Sequence, residues 1–308
     1  MIAFAGATLM RAAGRSVAAV LAPALLIALA GCSAAPGEEA AGPPPSPLLY
    51  EIASADGAVE GWMLGTIHAL PDGTAWRTEA IDRVASSADL LVVEIAALDD
   101  SAALSRVFAE LGTTPGLPSL ERRLPAAQRP RLAALLARGG MAAGDFTRTE
   151  SWAAALMLAR IDAEGDPANG VDRALIREFP RGKVRELEGV RAQLSVFDRL
   201  PEADQRNLLA AVVTEAEAAP ARAAQLRKAW LAGDEAALVA ATHAGIMADP
   251  GLREALLVAR NRRWDAVIAA LLEAPARPLV AVGSAHLVGP EGLAALLAAR
   301  GYRIRRLH

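Results

Sequence analysis

Four histidines occur in the 308-residue chain, and two of them end the same short pattern. Gly61-Trp62-Met63-Leu64 runs into Gly65-Thr66-Ile67-His68, and Pro278-Leu279-Val280-Ala281-Val282 runs into Gly283-Ser284-Ala285-His286. Imidazole is the commonest side-chain metal ligand, and its pKa suits general acid or base work near neutral pH. One histidine after a strand reads as an ordinary loop or core residue. Two in matching strand-to-loop positions would meet at the carboxyl edge of one sheet, where open α/β sheets bind ligands. Glycine three residues earlier lets the backbone come close to an ion or a substrate. Glu94, which ends the apolar run Leu90-Leu91-Val92-Val93, is the third candidate. A carboxylate there needs a cation, a metal, a hydrogen-bond donor or water. Two imidazoles and a carboxylate would make a divalent-metal triad with positions left for water, and such an ion generates hydroxide near neutral pH. The plainer alternatives are an exposed strand end for Glu94 and packing roles for the histidines.

The elements that must position these groups are legible in outline. Leu48 to Ala53 and Gly61 to Ile67 read as strands joined by the turn Ala55-Asp56-Gly57. Trp76 to Ser86 reads as a helix. Asp89 to Ile95 reads as a strand whose unbroken apolar run implies cover on both faces, as in a parallel or mixed sheet. From Ser101 the period turns helical, over Ala102 to Leu111, Ala126 to Arg138 and Glu150 to Ile161. Gly170-Val171-Asp172 opens a helix to Phe179, with Asp172 read as an acid at its positive dipole end. Lys183 to Leu187 is a candidate strand. Glu186 and Glu188 alternate at its end, so one of them faces the site, and Glu188 is the choice. Helices follow at Val190 to Leu200, Glu202 to Glu217, Ala221 to Leu231, Glu235 to Thr242 and Leu252 to Leu272. After the second histidine come a helix from Leu293 to Arg300, Gly301 at its C′ position, and a closing strand from Tyr302 to Leu307. The expected fold is α/β, a mixed central sheet built from the two ends of the domain with a helical insertion between them.

A chain of this length buries a substantial core. Its formal net charge of -3, with Lys and Arg scattered, leaves no electrostatic footprint for nucleic acid. Arg11 and Arg15 precede an apolar stretch from Val17 to Ala30, the layout of a secretory signal and short for a spanning helix. It stops at Leu29-Ala30-Gly31-Cys32, which resembles a bacterial lipobox with the single cysteine of the chain at the lipidated position. Residues 1–32 are therefore expected to be a lipoprotein signal peptide, with attachment to the membrane through a lipid on Cys32. Residues 33–47 read as a Pro-rich tether and 48–308 as the domain. Ser33 lacks the aspartate that retains the Gram-negative lipoproteins this segment resembles at the inner membrane. The expected location is the periplasmic face of the outer membrane.

The paired Gly-x-x-His units, with Glu94 after its apolar strand, resemble the TraB/PrgY/GumN family, which includes the TIKI-type metalloproteases. Intermediate residues agree: Gly170-Val171-Asp172, the Leu187-Glu188 step followed by Gln193 and Phe197, Arg260-Asn261 with Trp264, and Gly301-Tyr302. The likeness covers Leu48 to His308 and departs at Gly189, where relatives usually carry a hydroxyl residue. The resemblance implies a fold related to the erythromycin-esterase and ChaN-like proteins, with His68, Glu94 and His286 at the site. From TIKI-type members it implies a manganese- or cobalt-like ion. Arg260 and Asn261 match the family pattern and are candidates to contact an oxyanion or a substrate carboxylate. Arg262 and Arg263 read as a solvated face, His243 as structural, and His308 has no assigned role.

The expected function is that of a lipid-anchored envelope hydrolase. A Mn, Co or Zn ion on His68, Glu94 and His286 would activate water against a peptide or ester bond, with Glu188, Arg260 and Asn261 completing the site. Its partner would be a peptide or small-molecule substrate. The alternative is a non-catalytic lipoprotein that binds haem or another small ligand, or that serves envelope assembly.

Overall fold

Strands from both ends of the domain, and one from its middle, pair into one six-stranded sheet in the computed structural model, which describes residues 44–308. The expected signal peptide, Cys32 and most of the tether lie outside the described residues. Ser46 and Pro47, read as tether, are packed on the body. The Ser46 N–H donates to the Leu231 carbonyl at 2.6 Å, and Arg306 Nη2 donates to the Ser46 carbonyl at 2.7 Å.

Strands β1 (Leu49–Ala53) and β2 (Val59–Thr66) form the expected antiparallel hairpin, with Gly57 at φ 95 in its turn. Helix α1 (Glu79–Ser87) begins three residues later than expected because the Thr78 side chain caps it, accepting from the Ile81 N–H at 3.2 Å. Strand β3 (Leu90–Val93) is buried at every position. Helices α2 (Ser101–Leu111), α3 (Arg129–Arg138) and α4 (Ser151–Leu158) open the insertion. Helix α5 (Val171–Glu178) and strand β4 (Val184–Glu186) return the chain to the sheet. Helices α6 (Gly189–Asp198), α7 (Glu202–Glu215), α8 (Ala219–Ala232) and α9 (Glu235–Ala241) follow.

The single helix expected from Leu252 to Leu272 is divided. A short α10 (Pro250–Arg253) passes through a π-helical turn at Glu254–Val258 into α11 (Ala259–Leu272). A π turn shifts the phase of the following helix by one residue. Along α11, Val267 is exposed, whereas Arg260 and Asn261 are buried. Strand β5 (Pro278–Gly283) runs into a 3₁₀ turn at Ser284–His286. Helix α12 (Leu293–Ala299), Gly301 at φ 99 and strand β6 (Arg303–Leu307) then close the chain.

The sheet order is β4-β3-β5-β2-β1-β6. The first four strands are parallel and the last two pair antiparallel, so the sheet is mixed, as expected. One core lies on the sheet, built from residues such as Ile52, Met63, Leu91, Val92, Val280 and Val282. A second belongs to the helical insertion, where Trp152 packs edge-on to Phe108 and stacks on Phe197, surrounded by Phe146, Leu194 and Leu209. Helix α6 and the π turn contribute Leu194 and Leu256 to this second core, while Trp264 of α11 belongs to the first. The seam between the cores therefore runs along the carboxyl ends of the parallel strands.

Candidate active site

Strand register brings the separated motifs together. Parallel pairing sets Thr66 opposite Gly283 and Val93 opposite Ala281, so Glu94 and both Gly-x-x-His turns leave the sheet side by side. The glycines make this approach possible. A Cβ on Gly65 would stand 3.2 Å from Ser284 Cα in the other motif. A Cβ on Gly283 would point into the space enclosed by Glu94 Oε1 at 3.3 Å, His68 Nε2 at 3.4 Å and His286 Cδ2 at 3.8 Å. The Gly283 N–H donates to Glu94 Oε1 at 2.9 Å and anchors the carboxylate there.

His68 is held by a residue read from sequence only as a helix-end acid. Asp172 does stand in the first turn of α5, but it is 3% exposed and its carboxylate accepts from two side chains. His68 Nδ1–H donates to Asp172 Oδ2 at 2.7 Å, and Thr66 Oγ1 donates to Oδ1 at 2.9 Å. The Gly170-Val171-Asp172 step was the available signal. Gly170 is required because a Cβ there would fall 2.4 Å from the His68 carbonyl oxygen, and the Val171 N–H donates to the Ile67 carbonyl at 3.0 Å. Burial opposes charge on His68, but the Asp172 carboxylate outweighs it and holds the imidazole above its ordinary value. The bond at Nδ1 leaves Nε2 directed toward Glu94 Oε1, 3.9 Å away.

His286 is engaged differently. Its Nδ1–H donates to Asn261 Oδ1 at 2.6 Å, and Asn261 Nδ2 donates in turn to the Glu291 carbonyl at 2.8 Å. This fixes the tautomer, so Nε2 accepts from Arg260 Nη1 at 3.1 Å. Burial, with Arg260 alongside, holds His286 down at about 3, and the ring is neutral at ordinary pH. Trp264 packs against the imidazole at 4.4 Å between ring centroids and lies under the Arg260 guanidinium at 4.5 Å.

Arg260 links the remaining groups. Its Nη2 donates to Glu94 Oε2 at 2.7 Å, its Nε donates to both Glu188 oxygens at 3.1 Å, and its Nη1 also reaches the Leu256 carbonyl at 3.1 Å inside the π turn. Gln193 Nε2 donates to the same Glu94 oxygen at 2.8 Å. Burial alone would raise the Glu94 pKa. The Arg260 guanidinium overcomes this and holds the carboxyl well below the usual range. Arg260 and Asn261, expected to contact substrate, thus spend their donors inside the protein and position Glu94 and His286. Glu188 anchors Arg260, while Glu186 accepts from the Ala96 N–H at 3.1 Å. Gly189 takes φ 76, and its N–H and that of Glu188 both donate to the Glu94 carbonyl.

The donor set fits a divalent cation at two positions. His68 Nε2 and Glu94 Oε1 face each other across a gap that two bonds of about 2.1 Å can span, at the bare face of Gly283. Asp172 behind His68 is the kind of carboxylate that orients metal-bound imidazoles. Asp172, Glu94 and Glu188 stand against the enclosed Arg260 and Arg173, and Asp99 takes part of the Arg173 charge. His286 does not fit in this arrangement, because Arg260 occupies its Nε2 lone pair. Among the described residues, no group of three or more His, Cys, Asp or Glu side chains stands ready to hold a metal. An open cleft of about 430 Å³, counting the solvent at its mouth, leads to the pair and is lined by His68, Glu94, Ile95, Leu98, Asp172, Arg173 and Gln193.

Fold and site together define an α/β protein with a histidine–carboxylate centre at the carboxyl edge of a mixed sheet. The chain belongs to the TraB/PrgY/gumN family, whose model matches residues 48–306. No curated protein and no solved structure matches it.

Proposed function

We propose that this protein is a lipid-anchored envelope hydrolase acting on a peptide or ester bond in the cleft at His68 and Glu94. The observation that carries the reading is the Asp172–His68 pair facing Glu94 across the bare edge of Gly283. His68 Nε2 and Glu94 Oε1 are the groups that would hold a Mn, Co or Zn ion. Such an ion supplies hydroxide near neutral pH by lowering the pKa of water. Asp172 keeps the proton of His68 on Nδ1 and so leaves Nε2 as a donor of electrons. Arg260, Gln193 and the Gly283 N–H hold the Glu94 carboxylate in its ionised form and in one orientation. Ile95 and Leu98 give the cleft an apolar wall for the substrate.

The test is elemental analysis, an absorption spectrum and turnover on peptide and ester libraries, using protein purified without added metal. The expected result is a stoichiometric Mn, Co or Zn ion and hydrolysis, both lost in a folded His68→Ala variant. A Soret band without turnover would instead establish the haem-binding alternative. Full hydrolysis by folded His68→Ala would sink the proposal.

A further inference from the structure

Arg173 follows the residue that orients His68 and lines the same cleft, yet the site described above makes no use of it. Its side chain is 7% exposed. One nitrogen, Nη1, donates to Asp99, whose own side chain is 65% exposed. The other, Nη2, is buried and has no hydrogen-bond partner among the described residues. A guanidinium is charged at every accessible pH, and an enclosed N–H without an acceptor is costly, so natural sites seldom keep one without a use.

The surroundings narrow what the acceptor can be. The adjoining wall is aliphatic, from Ile95 and Leu98, and the cleft's other charged linings are the carboxylates Glu94 and Asp172. Of the cleft's carboxylate and guanidinium groups, Glu94 and Asp172 repel an anion and Arg173 draws it, which favours a ligand whose carboxylate lies at Arg173. A planar carboxylate matches the guanidinium fork and can share it with Asp99.

We propose that Arg173 is the recognition residue for a substrate carboxylate: the free C-terminus of a peptide or acyl amino acid whose last side chain is aliphatic and packs on Ile95 and Leu98. The assignment rests on the hydrolase reading only for which bond is cut. With the carboxylate on Arg173, the last amide would extend into the cleft that His68 and Glu94 also line. Adding water across its C–N bond would release the free amino acid and a new carboxyl group.

The experiment compares N-acetyl-Ala-Leu with its C-terminal carboxamide as ligands of the full-length protein, by calorimetric titration. The free acid is expected to bind wild type about tenfold or more tighter than the amide. That preference is expected to vanish in Arg173→Met and to return in part in Arg173→Lys. Equal binding of acid and amide, or no binding of either, overturns the proposal. So does displacement of the acid by an equal concentration of inorganic phosphate. If Arg173→Met does not fold, the acid–amide ratio in wild type and Arg173→Lys decides alone. Tight, selective binding without turnover leaves the carboxylate subsite standing and removes the hydrolase reading; turnover with no acid preference does the reverse.

Discussion

At the residue scale, the centre depends on which partner each imidazole keeps. Both histidines stand near Glu94, yet Asp172 draws His68 toward the charged form while Arg260 and burial keep His286 neutral. Asp172→Asn should preserve the fold and lower ion affinity or turnover by about 10- to 100-fold, the usual effect of losing a carboxylate behind a ligating imidazole. Thermal unfolding alongside the hydrolysis assay checks both halves of that expectation. His286 gives a separate prediction for pH. Its folded value of about 3 lies below the ordinary 6.5, so below pH 6.5 the unfolded chain takes up a proton that the folded chain refuses. Stability present above 6.5 therefore drains as the pH falls toward 3, by up to about 1.4 kcal/mol per unit. Glu94, also depressed, adds the same trend only below its ordinary 4.5. His68 has the opposite sign: its raised value contributes stability in full below 6.5, lost as the pH rises through the folded value. Urea unfolding at pH 7 and pH 5 should show a larger acid loss in wild type than in His286→Gln, and equal losses would contradict the neutral, buried assignment.

At the element scale, the site is made by strand ends and by the turns that leave them. β3, β5 and β2 deliver Glu94 and the two motif turns because they are parallel neighbours, and Gly283 keeps the space between them open. Gly283→Ala should still fold, with Glu94 and His68 giving by a few tenths of an ångström, since the added methyl would sit 3.3 Å from Glu94 Oε1 and 3.4 Å from His68 Nε2. It should nevertheless fill the gap between His68 and Glu94 and abolish ion uptake, measurable by elemental analysis. The apolar runs at β3 and β5 announced these strands, and the Gly301 C′ position announced the end of α12. The π turn had no such mark, because its partner is tertiary: Arg260 Nη1 reaches back to the Leu256 carbonyl and also meets His286, while Nε and Nη2 are held by the carboxylates of Glu188 and Glu94. The pairing of Asp172 with His68 was missed for a related reason. An acid at a helix start is already accounted for by the dipole, and nothing local shows that a loop 104 residues away lies against it.

At the scale of the whole molecule, the centre lies where the sheet core and the core of the helical insertion meet. Neither half holds it alone: His68, Glu94 and His286 leave the sheet, while Glu188 caps α6, Gln193 lies on α6 beside Leu194 of the second core, and Arg260 follows the π turn on α11. The expected attachment at Cys32 belongs to this scale as well. Cys32→Ser should move the protein from the membrane fraction to the soluble fraction and abolish labelling by a radioactive fatty acid. Retention in the membrane fraction without label would argue against a lipid anchor.

The sequence by itself determined the mixed α/β class and the succession of strands and most helices along the chain, and it pointed to His68, Glu94 and His286 as neighbours, because hydrophobic period and the repeated Gly-x-x-His pattern are written in local spacing. The order of the strands across the sheet, the partner of each histidine, the inward turn of Arg260 and the surroundings of the Arg173 guanidinium were decided only by the tertiary structure. Each of those depends on which distant groups share a low-dielectric space, where an ion or a lone pair must find an acceptor or donor, and linear separation carries no record of that choice.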